Sequence, residues 1–382
     1  MAAAVGCLRC YGRPVPFCPL AAHHVEPSLG WPPRQGSRLV RAAADSQLPQ
    51  LSNDVPPSKS AGVAALRQSG RRAIITQPSR SWDRKITMKL ALITPTYARD
   101  RRLLDISCAH VDRYCGGDIE HLIIPSRAEK NIFKHLAGVR RRVIYKEDVF
   151  DQFIQHLPFR IRGKEIFLFN YVLPVRGWIV QQLLKFCAPD ITDADLFVFL
   201  DSDVFPIRRF SATNFLIDRK VRFLRKPSFA DIEPHRKWHR SAGRLLGLAE
   251  KSYYGADYIG HFISWRSDTC VELRKFLEEK WGTRWLRLLS READISEYIL
   301  YGIYVDQILD GDTCRHYMVD AELCLSSWYF DSNKDLISQL IAALRNEHLA
   351  VNLQSNLGLP IETYAKFLTS ITEKIEEPGL TP

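Results

Sequence analysis

Asp195-Leu196-Phe197-Val198-Phe199-Leu200-Asp201-Ser202-Asp203 is the stretch on which the fold turns. Its apolar residues run without alternation between acids, so neither face of the segment is suited to water. That pattern predicts a short strand buried on both sides, as at the centre of a mostly parallel sheet. Upstream, Lys89-Leu-Ala-Leu-Ile-Thr-Pro-Thr-Tyr97 is a second apolar run that ends in a Thr-Pro turn, the mark of a buried strand feeding a loop. Between these two, Arg101 to Tyr114 carries Leu104, Cys108, Val111 and Tyr114 at helical spacing, and His121–Pro125 and Arg142–Lys146 read as further strands. Arg176–Ala188 reads as a helix with Ile179, Leu183, Phe186 and Cys187 on its apolar side and Trp178, Gln181, Gln182 and Lys185 on its polar side. Strand and helix alternate, which predicts an α/β fold with an open, mostly parallel sheet flanked by helices.

Downstream the order is less regular. Strands are expected around Val221–Leu224 and Tyr258–Trp265, and helices over Val271–Glu279 and Ser296–Leu309. Two amphipathic helices close the chain, one with Leu336, Ile337, Leu340, Ile341 and Leu344 on a stripe, the other with Ile361, Tyr364, Leu368, Ile371 and Ile375. Their apolar faces are expected to pack on the domain or on each other. The organisation expected is a globular domain over 88–330 followed by a C-terminal helical segment, 331–382.

Residues 1–87 differ in kind. They hold 12 Lys and Arg against 4 Asp and Glu, and 10 of the 21 prolines, with no sustained apolar period. Such a segment cannot bury enough surface to fold alone, so a disordered, basic, Pro-rich extension is expected. It shares its composition with organelle transit peptides, and it also fits an extension upstream of a chain that naturally begins at Met88. The expected compartment is the cytoplasm, with targeting through 1–87 as the alternative. Because residues 88–382 carry 41 basic against 39 acidic side chains, the net charge of +10 is mostly an N-terminal property. Nucleic acid is therefore excluded as the expected partner of the domain. The six cysteines after residue 88 show no paired zinc spacing and read as reduced, buried thiols. No stretch approaches the roughly 18 apolar residues needed to span a bilayer, since Ile166–Val180 is broken by Asn170, Pro174 and Arg176. Peripheral membrane contact stays open.

Asp201 and Asp203 sit just past the carboxyl end of the predicted central strand, where open α/β sheets bind their ligands. Hard cations prefer such oxygens, and Mg2+ or Mn2+ held there can bridge a protein to a diphosphate and neutralise the charge that builds as it leaves. The plainer reading of the pair is carboxylates capping a loop.

Five stretches together resemble a little-characterised group of bacterial glycosyltransferase-like proteins with the GT-A, nucleotide-diphospho-sugar transferase fold. They are Lys89-Leu-Ala-Leu-Ile-Thr-Pro-Thr-Tyr97, Arg176-Gly-Trp with Gln181-Gln182-Leu-Leu-Lys185, Ala194-Asp195 with Asp201-Ser-Asp203, His261-Phe-Ile-Ser-Trp265, and Ser296-Glu-Tyr-Ile-Leu-Tyr-Gly302. The likeness covers about 88–330. It implies a metal-dependent hexosyltransferase that moves a sugar from a nucleotide-diphosphate donor to a carbohydrate or other hydroxyl acceptor, with the DxD holding the metal.

Under that resemblance Thr94, Thr96 and Tyr97 are placed to meet the nucleoside, and Gln181 and Lys185 to reach donor oxygens. Asp203 is the first choice for the metal, with Asp201 a second ligand or a partner of the donor ribose, and His316 is the candidate to complete the site. Glu297, opening a helix beside the acceptor pocket, is the candidate base for an inverting transfer; Asp306 is a weaker one. Trp178, Trp265 and Trp328 are candidates to stack on sugar faces or to lie in the core.

Three rivals remain at this level. Phe197-Val-Phe-Leu-Asp201-Ser-Asp203-Val204 also resembles the nucleophile strand of haloacid-dehalogenase-type phosphatases, with Asp201 phosphorylated and Asp203 the acid. That motif normally opens its domain, whereas here three predicted strands precede it. A non-catalytic carbohydrate-binding protein on the same scaffold is the second. A nucleotidyltransferase is disfavoured, because no Gly-rich, Lys-containing signature accompanies the first strand.

Overall fold

The computed structural model describes residues 88–150, 153–161, 164–170, 173–227, 233–309, 315–330 and 335–376. The expectations for residues 1–87 lie outside the described residues, as does Cys314. Ile86–Pro382 forms one compact unit.

The chain opens with β1 (Leu90–Pro95), α1 (Arg101–Tyr114), β2 (Glu120–Ile124) and β3 (Arg141–Val143). An antiparallel three-stranded sheet follows, made of Ile154–Ile161, Lys164–Phe169 and Leu173–Arg176. It leads into α2 (Gly177–Phe186) and then into β4 (Leu196–Phe199), β5 (Val204–Pro206) and β6 (Lys220–Leu224). After these come the helix Glu233–Leu246, β7 (Ile263–Arg266), the helix Ser267–Trp281 and α3 (Glu297–Gln307). The last strands are β8 (His316–Val319), β9 (Cys324–Ser326) and β10 (Ala350–Asn352), and the helices Leu336–Ala343 and Ile361–Glu376 flank β10.

The central sheet has the order β7-β4-β1-β2-β3. The pairs β4/β1, β1/β2 and β2/β3 are parallel, and β7 is the antiparallel edge. The α/β fold and mostly parallel sheet expected from the sequence are therefore present. Two-residue periodicity distributes β4 between two cores: Phe197 and Phe199 join Ala91 and Ile93 on one face, and Leu196, Val198 and Leu200 join Leu90 and Leu92 on the other. Each of these side chains is nearly fully buried, and each burial of a Leu, Ile, Val or Phe among them contributes about 1.5–3 kcal/mol. A charge at any of these positions would have no wet face to turn to.

The two C-terminal helices pack with Phe205, Ile207 and Val351 in a shared cluster that includes Leu340, Tyr364, Phe367 and Ile371. Strand β10 pairs with both β5 and β9. The chain beyond residue 331 thus contributes a strand and two helices to the same body.

Two expectations are corrected. Gln182 and Lys185, assigned above to the polar side of their helix, are buried, because the helix packs beneath α3 as well as on the sheet. Only Trp178 of that side is exposed, and Gln181 is half-buried. Tyr258–Trp265 is not one strand: the run breaks at His261-Phe262, where Phe262 has φ 62°, and strand pairing with β4 begins only at Ile263. The antiparallel sheet before α2, the helix Glu233–Leu246 and the strands β9 and β10 were not anticipated.

Candidate active site at the carboxyl end of the central strand

Strand β1 has β2 on one side and β4 on the other, so the chain reverses direction of sheet growth between them. Crevices at such switch points, beyond the carboxyl ends of the strands, are where open α/β sheets bind ligands. Thr96 and Ser202 close this end of the sheet with a hydroxyl contact of 2.9 Å. The turn Asp201–Val204, held by the Val204 amide on the Asp201 carbonyl (3.1 Å), then projects the acidic pair.

The two aspartates are in different situations. The Asp201 side chain is 44% exposed, and its Oδ2 lies 3.9 Å from Nδ1 of the His261 ring. Asp203 has both oxygens taken: Oδ1 accepts from Asn352 Nδ2 (3.0 Å) and Oδ2 from the Ser355 amide (2.8 Å). Burial, and then the charge of Asp201, push the Asp203 carboxyl up to about 7 against the opposing Ser355 hydrogen bond. Asp100 is raised too, to about 6, chiefly by burial, with Asp201 among the charges that add to it. The charge of Asp201 thus acts on both Asp100 and Asp203.

His261 is the residue the sequence reading left without a role. It is buried, it lies against the Trp328 ring at 4.4 Å between centroids, and neither ring nitrogen has a hydrogen-bond partner among the described residues. Burial holds its pKa below the usual value, which keeps the imidazole neutral and able to ligate a metal. The next residue, Phe262, has left-handed backbone, an arrangement costing about 1–3 kcal/mol. The rings of Phe210 and Phe215, 5.1 and 5.6 Å from that of Phe262, hold the turn in place.

Beside the pair lies a buried charged cluster. Lys185 Nζ donates to Glu297 Oε1 at 2.6 Å and to Tyr298 Oη at 2.8 Å, and it stands 4.2 Å from the Tyr298 ring. Both charged side chains are 7% exposed. Burial opposes the ammonium, but Glu297 and Tyr298 outweigh it and raise the Lys185 pKa. Helix α3 starts here because Ser296 accepts from the Ile299 amide, and Gln182 Oε1 accepts from the Glu297 amide (3.1 Å). Glu297 therefore sits in an ion pair and is not a free carboxylate facing a cleft.

The other expected residues are spread more widely. Thr94 bonds His121 Nε2 at 2.9 Å within the sheet. Tyr97 is half-buried next to Asp100 and shares a hydrogen bond with it. Trp265 is stacked on Tyr301 in the core, centroids 4.2 Å apart. Asp306 is occupied by Arg225 (2.9 Å) and Tyr258 (2.7 Å).

His316 is not brought to the acidic pair. It pairs with Val221 in β8, its Nε2 meets Tyr301 Oη at 2.9 Å, and its charged surroundings are Arg266, Asp268 and Arg315. Arg266 is level with Leu196, at the opposite end of β4 from Asp201. Burial pushes the His316 pKa down to about 3. Among the described residues no group of three or more His, Cys, Asp or Glu is gathered to hold a metal ion.

Residues 84–375 match the profile of a family of unknown function, DUF6492. The chain belongs to this family. No curated protein sequence matches it. Among solved structures, the DUF6492 chain is similar to the galactosyltransferase LgtC in complex with donor and acceptor sugar analogues. The TM-score is 0.38 at 11% identity, over 74% of this chain and 96% of that one. An active-site mutant of LgtC gives 0.39 at 12% identity, over 73% and 95%. Among the described residues, no helix of this DUF6492 chain is long and apolar enough to cross a membrane.

Proposed function

We propose that this DUF6492 chain is a metal-dependent glycosyltransferase of GT-A type that moves a sugar from a nucleotide-diphosphate donor to a hydroxyl acceptor. The observation that carries the reading is the pairing, past the end of the central strand, of a half-exposed Asp201 with a buried His261 whose two ring nitrogens are unpartnered among the described residues. A carboxylate oxygen and a neutral imidazole fit Mn2+ or Mg2+ that draws its remaining ligands from a diphosphate. Asp201 and His261 would hold the ion; Asp203, with both oxygens engaged, would fix the turn that carries Asp201. The ion, when bound, would supply neutralisation of the charge that gathers on the leaving diphosphate.

The remaining roles follow from each residue's surroundings. Lys185 has two of its three donor hydrogens on Glu297 and Tyr298, which leaves one for a donor oxygen. Glu297 in this reading fixes Lys185 and is not the base. Tyr97, half-buried in the loop after β1, would lie against the nucleoside in this reading, whereas Thr94 and Thr96 bond His121 and Ser202.

The phosphatase reading requires Asp203 to hand a proton to a leaving group, and its two hydrogen bonds to Asn352 and Ser355 hold it away from that task. The test is donor hydrolysis. Residues 88–382 with Mn2+ and a panel of nucleotide sugars should release the nucleoside diphosphate slowly, and Asp201→Ala should abolish the release. Retention of sugar without any release would leave a binding protein, and cleavage of simple phosphate esters would leave a phosphatase.

A further inference from the structure

A second buried ion pair stands near His261 and has no part in the donor reading. Lys226 Nζ donates to Glu322 Oε1 at 3.0 Å and to Tyr329 Oη at 3.2 Å, and Tyr329 Oη donates to the same Glu322 oxygen at 2.5 Å. Both charged side chains are nearly buried, 9% and 12% exposed. Every donor is therefore on Oε1. The other oxygen, Oε2, is buried and has no partner among the described residues.

That oxygen lies close against Gly260, where a Cβ would come within 2.9 Å of it, so the neighbouring backbone is glycine for lack of room. Gly260 immediately precedes His261, and Glu322, Lys226, Lys185 and Asp201 all act electrostatically on the His261 ring. Trp328, between Ser327 and Tyr329, covers that ring, and Tyr329 is 41% exposed. The two ion pairs thus act on His261 together with Asp201, and the Lys226–Glu322 pair offers a bare acceptor oxygen. A buried carboxylate oxygen needs a hydrogen-bond donor. Donors that could come to it from outside the chain are the hydroxyls of a ligand and water.

We infer that Glu322 Oε2 is the acceptor-hydroxyl site: it receives a hydrogen bond from the attacking hydroxyl of a carbohydrate or polyol, or from water when the donor is hydrolysed, with Trp328 and Tyr329 forming the apolar wall beside it. The inference rests on the transferase reading and adds the place of the second substrate. Lys226 and Tyr329 are positioning residues that fix the carboxylate through its other oxygen.

The test uses Glu322→Gln. Lys226 and Tyr329 are both donors to one position, so the amide oxygen must occupy the Oε1 place and the NH2 is forced into the Oε2 place. The variant keeps the shape and replaces one acceptor by a donor where the hydroxyl would sit. With the full chain, Mn2+ and whichever nucleotide sugar the wild type hydrolyses, kcat is expected to fall at least tenfold while the KM for donor and the affinity for Mn2+ stay within twofold. Glu322→Asp keeps the charge for Lys226 but withdraws the free oxygen, and it should show the same split if Glu322→Gln fails to fold. Unchanged kcat in a folded variant overturns the inference and leaves the transferase reading standing. Parallel losses in kcat, donor KM and melting temperature would assign Glu322 a purely structural role and also overturn it. A wild type that hydrolyses no nucleotide sugar removes the transferase reading first, and this site with it.

Discussion

Removing Glu297 and Lys185 together is expected to cost less stability than the sum of the two single removals. At 2.6 Å and an effective dielectric constant of about 20, the attraction between the two charges is about 6 kcal/mol before the cost of desolvating them. The desolvation is large, because each side chain is only 7% exposed. The net value of the pair against apolar residues is therefore small. Glu297→Ala leaves the ammonium buried with only Tyr298 as a partner, which predicts a loss of about 3–5 kcal/mol. For a domain of this size that is roughly 2 °C per kcal/mol, or about 6–10 °C in melting temperature. Lys185→Ala should cost a similar amount through the stranded carboxylate, and the double variant less than the sum by about 2 kcal/mol or more.

The pH dependence carries the sign. In the wild type the Lys185 pKa is above its ordinary 10.5, so the pair's contribution is complete below pH 10.5 and is lost as pH rises through the raised value. In Glu297→Ala only Tyr298 and Asp201 remain to oppose burial, the folded-state pKa is expected to drop below 10.5, and the variant regains stability as pH approaches 10. Urea unfolding of the four proteins at pH 7 and pH 9.5 measures both effects. Additive single-variant losses, with a coupling energy under about 0.5 kcal/mol, would refute the claim that these two charges are a buried unit.

Three further outcomes are expected. Saturating Mn2+, at about one hundred times its dissociation constant, should stabilise the wild type by about 2.7 kcal/mol in thermal unfolding; Asp201→Ala should remove that shift and His261→Ala should weaken Mn2+ affinity at least tenfold. His316→Ala should leave the affinity unchanged, since that ring is held by Tyr301 at the other end of the strand. Asp203→Ala should speed amide exchange at Ser355, because it removes the carboxylate oxygen that this amide donates to. Hydrogen bonds to a charged group contribute about 1.5–3 kcal/mol each, so the local opening free energy should fall by about that much when measured above pH 7, where the Asp203 carboxyl is ionised. In acid, His121 and His316, both pushed down to about 3 by burial, must stay neutral to remain folded. Each stabilises the protein above pH 6.5 and loses that contribution as pH falls toward 3, at about 1.4 kcal/mol per pH unit. His316→Phe should therefore reduce the acid slope between pH 6.5 and 4 by that amount in urea titrations.

Much of the fold was legible because burial on both faces leaves a signature that neighbours cannot erase. Leu196–Leu200 and Leu90–Ile93 could be nothing but core strands, and Arg101–Tyr114 showed its period directly. What escaped were the elements whose residues do not alternate cleanly or are too short to show a period. Val204–Pro206, Cys324–Ser326 and Ala350–Asn352 are strands only because each finds another at its side. Lys185 and Gln182 read as a wet helix face for a related reason: periodicity registers polarity, and a buried lysine paired with a glutamate 112 positions away has the same letter as a solvated one.

The candidate site divides along the same line. The place of Asp201 and Asp203 was readable from the chain alone, because two carboxylates after a fully apolar strand must emerge at the end of the sheet. Which histidine stands beside them was not. His261 and His316 are both single histidines at the edge of apolar runs, and it is the left-handed turn at Phe262 and the antiparallel pairing of β7 with β4 that bring one near Asp201 and put the other against Tyr301. Local sequence determined the strands, the main helices and the acidic tip, since those depend on hydrophobic period and chain direction. The partners of each charge, Glu297 for Lys185, Asn352 and Ser355 for Asp203, and Lys226 for Glu322, were decided only by the tertiary structure, because they come from segments roughly a hundred or more residues apart that packing alone brings together.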